Sequence, residues 1–142
     1  MPAKGSTYAN DLLQLIFNAV AIADLAENDS VSPATDLTVA LHTSSPGAGG
    51  DQATNEISYT GYARVTIART AGGWTVTANS VSPAADIDFP ISAGGAGGTV
   101  THFSVGTGVA DKMLYFGTVT PNIVVTTGVL PRLTTATAVI ET

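Results

Sequence analysis

His42 and His102 are the only imidazoles in the chain, and imidazole is the side chain that most readily moves a proton near neutral pH. Both occupy strand positions expected to face outward. A serine hydrolase would need a nucleophile fixed beside such a base, and no Gly-x-Ser-x-Gly elbow is present. The pair also has no third donor at a spacing that suits zinc. Asp86 and Asp88 point the same way from one short strand, and Asp29, Asp36, Asp51 and Asp111 sit in or beside loops. Paired carboxylates can work as acid and base or hold calcium, but no Asp-x-Asp-x-Asp-Gly loop occurs, so solvated strand ends are expected. The glycine runs at 47–50 and 94–98 are not followed by Lys-Ser/Thr or by a helix, and read as linkers rather than phosphate cradles. No catalytic residue, metal ligand or cofactor site is therefore expected, and the chain is not read as an enzyme. Tyr62 and Arg64 remain, because each joins a large apolar body to directed donors, the chemistry of interface anchors. Arg64 is expected either to pair with a carboxylate of its own chain, such as Glu56, or to cross to another subunit.

The elements that must position these residues are mostly strands. From Leu37, alternation sends Leu37, Val39 and Leu41 one way and Thr38, Ala40 and His42 the other, the period-two pattern of a pleated strand. A Gly/Ser/Pro loop, expected to be mobile, runs to Asn55. A second strand follows from Glu56 to Ile67, with Ile57, Tyr59, Val65 and Ile67 on one face and Tyr62 and Arg64 on the other. The two strands are expected to pair. Ala71-Gly-Gly73 fits a hairpin turn into the strand 74–78, with Trp74, Val76 and Ala78 facing a core. The segment 86–90, closed by Pro90, suits an edge strand. Residues 91–98 read as a flexible connection to a second sheet. Thr99 to Gly106 is expected to turn Phe103 and Val105 inward and Val100 and His102 outward. The run 112–119 is apolar on both faces, as a strand covered by a helix would be. Strands at 123–127 and 133–140 complete about eight, the pattern of a jelly-roll-like antiparallel β-sandwich.

One helix precedes them, over residues 6–28, with Ser6 or Thr7 as its cap and Asp11 near its positive end. Asn10, Asp11, Gln14 and Asn18 form a narrow polar stripe; Leu12, Leu13, Leu15, Ile16, Phe17, Val20, Ile22 and Leu25 cover the rest. An apolar arc that wide exceeds what one sheet face covers, so Leu15, Phe17 and Ile22 are expected either in the chain's own core or against another subunit. The apolar run is too short to span a bilayer and contains Asn18 and Asp24. The turn formers from Asn28 to Pro33 close the segment.

At 142 residues the chain is expected to be a single domain, with the sandwich over 36–141. It has no cysteine, hence no disulfide or thiolate chemistry. A formal charge of −6 argues against gripping a phosphate backbone, so no nucleic-acid partner is expected. Only 11% of residues are charged and mean hydropathy is +0.29, so much of the surface is uncharged Thr, Ser, Ala and Gly or is covered by a partner. The N-terminal residues lack the pattern of a secretory leader, and synthesis in a cytoplasm is expected.

The order Leu37-Thr-Val-Ala-Leu-His-Thr-Ser-Ser-Pro-Gly47, then Asn55-Glu-Ile-Ser-Tyr59 and Gly61-Tyr-Ala-Arg64, resembles small head proteins of tailed bacteriophages, the jelly-roll decoration or cement proteins of the Bordetella-phage type. Relatives of these often carry the label phage tail fibre protein. The resemblance implies a virion protein on the outer capsid surface, bound to the major capsid protein and to itself as a homodimer or homotrimer, with Leu15, Phe17, Ile22, Tyr62 and Arg64 as interface candidates. The alternative is a tail or receptor-binding module that recognises carbohydrate through Tyr8, Tyr62 or Trp74.

Overall fold

In a computed structural model, residues 6–21 and 34–142 are described. The chain is mainly β, an antiparallel sandwich with one helix among the described residues. The helix, α1, spans Ser6–Asn18, and among the described residues nine strands follow: β1 Asp36–His42, β2 Val65–Ala68, β3 Trp74–Thr77, β4 Ser80–Pro83, β5 Ile87–Asp88, β6 Gly98–Gly106, β7 Met113–Val125, β8 Arg132–Leu133 and β9 Val139–Ile140. They form a four-stranded sheet ordered β2-β1-β6-β7, a three-stranded sheet β3-β4-β9 and a pair β5-β8. Every strand pairing is antiparallel. All three sheets and the helix contribute to one apolar core that includes Phe17, Val39, Trp74, Val81, Phe103 and Leu133.

The helix is shorter than its apolar pattern implies. It ends at Asn18, Ala19 turns out of it at a φ of 56°, and Ile22, Leu25 and Asn28 lie outside the described residues, as do Asp29 and the side chains of Ser6 and Tyr8. Ala9, Leu13 and Phe17, spaced four apart, form the buried stripe, and Leu12, Leu15 and Ile16 are half-buried beside it. α1 has no basic residue in its last turn. Arg69 takes that role from beyond β2: its guanidinium donates to the carbonyls of Leu15 and Ile16, and to that of Ala34 at 3.0 Å. The helix rests on β3 and β4 rather than along β7. Phe17 reaches Tyr115 on β7, at 5.8 Å between ring centres, while Phe116 beside it stays 39% exposed.

The expected pairing of the two strands around the first loop is present, but the second strand is not continuous. Thr43 and Asn55 close the loop, Glu56 bridges to His42, and Val65 to Ala68 then pair with Val39 to Asp36. Ile57 N–H still donates to Leu41 O at 2.9 Å, and from there residues 58–64 leave the sheet. They pair instead with the glycine-rich run, through Thr60 N–H on Gly94 O at 2.8 Å, Ala93 N–H on Thr60 O and Gly97 N–H on Ser58 O. Those glycines thus carry the chain to the other sheet, as expected, but as a bonded strip rather than a free linker. At Gly97, with φ 60°, a Cβ would fall 2.4 Å from Val125 O, so only glycine lets the backbones meet. Ala71-Gly-Gly73 makes no hairpin. It turns the chain from the four-stranded sheet into the three-stranded one, where β3 pairs with β4 across Ala78 and Asn79. Trp74 is buried and Val76 half-buried as expected, whereas Ala78 is exposed at the turn with φ 54°.

Val100 is fully buried, against the expectation that it faces outward. A β-bulge explains it: Val100 pairs with Ile123 but His102 with Thr118, and the slip lets Val100 and Phe103 share the core side. On β7 the same bulge takes up residues 119–122, so the strand expected at 123–127 is the far half of β7. The strand expected over 133–140 divides into β8 and β9 around a turn closed by Thr137 N–H on Thr134 O.

Candidate functional site

His42 does not face solvent. It lies on the outer face of the four-stranded sheet, but that face is roofed by the loop after β1, and the ring is fully buried. The roof is held by Gln52, also fully buried, whose backbone N–H donates to Asp111 O at 2.9 Å. A directional chain of hydrogen bonds runs beneath it. Thr38 Oγ1 donates to Gln52 Oε1 at 2.8 Å, Gln52 Nε2 donates to Thr38 O and to Ser104 Oγ, and Ser104 Oγ meets His42 Nε2 at 2.8 Å. His42 Nδ1 lies 2.9 Å from the carbonyl of Thr54, which can only accept. The proton therefore sits on Nδ1, and Nε2 accepts from Ser104. Burial pushes the imidazole below its ordinary range, against the smaller opposing pull of the Thr54 bond and the Glu56 charge. The loop itself is tied down at Asp51, whose Oδ1 accepts from Ala53 N, Thr54 N and Thr54 Oγ1 at 2.9–3.0 Å, with the Thr54 hydroxyl foremost in lowering the carboxyl. It is a fastened roof rather than the mobile loop its composition suggests. His102 lies opposite His42 on β6 and is half-buried, its Nδ1 2.8 Å from the Thr101 hydroxyl.

Arg64 pairs within its own chain, at a junction that also takes in Tyr62. Arg64 meets Glu56 through two parallel bonds, Nε to Oε1 at 2.8 Å and Nη2 to Oε2 at 2.7 Å, and sends Nη1 to Asp111 Oδ1 at 2.7 Å. Its guanidinium is held above even its usual range, first by the Glu56 bonds. The Tyr62 hydroxyl donates to Glu56 Oε1 at 2.7 Å and accepts from Leu41 N–H at 3.2 Å. Its ring does not face away from the core. It packs edge-on to Tyr59 at 5.2 Å and parallel to Phe89 at 6.4 Å, and burial raises its phenol well beyond the ordinary range. Among the other interface candidates, Phe17 is fully buried in the chain's own core, 4.7 Å from Trp74, Leu15 is half-buried, and Ile22 is outside the described residues. Of the aromatics a sugar site could use, Tyr62 and Trp74 are packed inside.

Asp86 and Asp88 are not simply solvated: both face Arg132 on β8. Arg132 donates through Nε and Nη2 to Asp88, the latter at 2.8 Å, and lies 3.7 Å from Asp86 Oδ2. The Asp88 carboxyl is lowered by that guanidinium. Arg132 also borders a groove of about 450 Å³ between the bulge of β7 and residues 132–138, with Val119, Ile123 and Leu133 for a floor and threonine hydroxyls along its walls. β7 is an edge strand, and it displays Phe116 and Val124, the latter 62% exposed. Among the described residues no three carboxylate or imidazole side chains converge as metal ligands would, and no helix is long and apolar enough to cross a membrane. Gln52, Ser104 and Arg69 carry much of this architecture and were not singled out from sequence, and Asp111 was read only as a carboxylate beside a loop. Gln52 alone had a readable signal, a long polar side chain within a loop of small residues.

Residues 5–140 match the family model described as podophage GP4 fiber I protein gp80. No curated protein matches the sequence.

Proposed function

The chain belongs to the podophage GP4 fiber I protein gp80 family, and on that premise we propose that this phage structural protein decorates the outside of a capsid, bridging major capsid protein subunits and associating with itself. It works by burying surface across subunit boundaries and performs no chemistry. The observation that carries this reading is where the reactive side chains are spent. His42 is sealed under a loop, Arg64 is forked onto Glu56, and Arg132 holds Asp86 and Asp88, so the groups that could react instead brace the fold. Much of what is left outside is threonine, alanine and single apolar side chains such as Val109 and Val124, with few charges among them. A lattice whose neighbours are tied by such a protein must break those contacts before it ruptures. Particles stripped of the protein are expected to rupture at a lower temperature than complete ones in a calorimetric scan; identical rupture temperatures would rule out cementing.

The family description names a fibre protein, which favours a second reading, a tail component that recognises a host surface. Antibody labelling of intact particles in negative stain separates the two, since label on the head supports decoration and label confined to the tail supports the fibre reading.

A further inference from the structure

We propose that the loop segment at residues 51–54 is an acid-sensitive latch: a proton taken up by His42 drives Gln52 out of its seat on the outer face of the four-stranded sheet. The latch belongs to the fold itself and is independent of capsid binding. Its seat fits one side chain. Gln52 is fully buried and lies across Gly106, where an added Cβ would fall 2.3 Å from Gln52 Oε1. The amide cannot be turned over. Nε2 spends one hydrogen on the Thr38 carbonyl, which only accepts, and the other on Ser104 Oγ, while Oε1 takes the Thr38 hydroxyl. Ser104 thus receives a hydrogen from Gln52 and gives its own to His42 Nε2.

A proton added to His42 reverses that last bond. Nδ1 already carries a hydrogen toward Thr54 O, so the new one goes to Nε2 and points at Ser104 Oγ. The hydroxyl oxygen can accept it, but its own hydrogen is displaced, and among the described residues Ser104 has no side-chain partner besides His42 and Gln52. Gln52 offers that hydrogen nothing, because the end of its amide facing Ser104 is a donor. The closed, protonated site therefore holds a stranded hydroxyl hydrogen and a buried imidazolium, and water would relieve both. Lifting residues 51–54 admits it. The segment moves as a piece, since Asp51 Oδ1 binds Ala53 N, Thr54 N and Thr54 Oγ1 within it. Besides the Gln52 side chain, its ties outward are Thr54 O to His42, Gln52 N–H to Asp111 O and Ala53 O to Glu56 N–H.

The charges around the ring do not offset its burial. Glu56 draws the proton but is shared by Arg64 and the Tyr62 hydroxyl, and Arg64 and His102 both oppose it. From the turn before β7 come Asp111, held by Arg64, and the exposed Lys112; from the segment itself comes Asp51, spent on its own loop. Burial wins and keeps the closed imidazole below 6.5, whereas the opened one meets water. Opening therefore takes up a proton, and its equilibrium constant rises as pH falls below about 6.5, by up to about tenfold per pH unit.

Hydrogen exchange resolved by amide NMR tests the latch between pH 7.5 and 5, with rates corrected for the pH dependence of exchange in an unfolded chain. Protection of the Gln52 amide is expected to fall by up to about tenfold per pH unit below pH 6.5. The amides of Thr60 and Gly97, bonded to Gly94 O and Ser58 O away from the roof, are expected to keep theirs. Asp51, lowered from 3.8, stays charged throughout this window. In His42→Gln the Gln52 amide is expected to hold its protection at every pH, and in His102→Asn to lose it as in wild type. Constant protection at Gln52 in the wild type overturns the latch, as does a loss that persists in His42→Gln or vanishes in His102→Asn. A parallel loss at Thr60 and Gly97 overturns it too, since the whole fold would then be loosening. Where His42→Gln melts early, the carbon-bound ring hydrogens of both histidines, titrated in the wild type, decide instead: protection lost in step with His42 supports the latch, and protection lost in step with His102 overturns it.

Discussion

Glu56 ties two side chains together, since the Arg64 fork and the Tyr62 hydroxyl both end on it. Glu56→Ala would leave a half-buried guanidinium without its main partner and a buried phenol without its acceptor. Unpaired groups of this kind cost about 2–3 kcal/mol, against about 1–2 kcal/mol for Tyr62→Phe, which removes the bond donated to Glu56 and the one accepted from Leu41 N–H but keeps the ring packing and the Arg64 fork. Denaturant melts of the two variants check that order. His42 gives a pH prediction. Its folded-state pKa is lowered from 6.5, so the unfolded chain takes up the proton first as pH falls. The stability from neutral His42 is fully present above about pH 6.5 and declines below it, by at most about 1.4 kcal/mol per pH unit, until the folded ring also protonates. His42→Gln is expected to flatten that slope in denaturant titrations between pH 5 and 7.5. The Arg64 pair was legible in the sequence because Glu56 lies eight residues away on the returning segment. The burial of His42 was not, because alternation along β1 reports only which side of the sheet a residue takes, and the cover on that side arrives from Gln52, a loop away.

Elements read well where one strand has one partner and poorly where backbones meet edge to edge. β1 follows its alternation and finds the partner expected for it, and β6 follows its own at Phe103 and Val105 but not at Val100, across the bulge. The excursion of residues 58–64 was hidden because the glycine strip it pairs with has no side-chain pattern to reveal a strand. That strip makes a sharp contrast in substitution. Gly97→Ala drives a Cβ to 2.4 Å from Val125 O at a φ of 60° and is expected to cost more than about 2 kcal/mol, whereas Gly49, with no atom within 4 Å and an ordinary φ, should tolerate alanine or gain up to about 1 kcal/mol. Melting temperatures of the two variants decide it. The early end of α1 was equally unreadable, since its carbonyl cap is Arg69, more than fifty residues further on.

At the scale of the whole molecule, one core joins the helix to all three sheets, so the chain is expected to unfold as a unit. Phe17→Ala opens a void between α1, Trp74 and Tyr115. It should lower stability by about 3–5 kcal/mol while calorimetry still records a single transition; two transitions would mean that the helix and the sheets unfold separately. Alternating Thr- and Val-rich runs separated by turn residues were enough to read a β-sandwich, but the closure of the sheets was beyond that reading, because sheet order depends on pairings far apart in the chain. The roof over His42 has a spectroscopic consequence. A ring proton on a nitrogen 2.9 Å from a carbonyl oxygen and shut away from water exchanges slowly, and it resonates far downfield of the amide envelope. That one line, followed by proton NMR as subunits are added or the solution is warmed, would reveal whether assembly leaves residues 51–55 seated or lifts them.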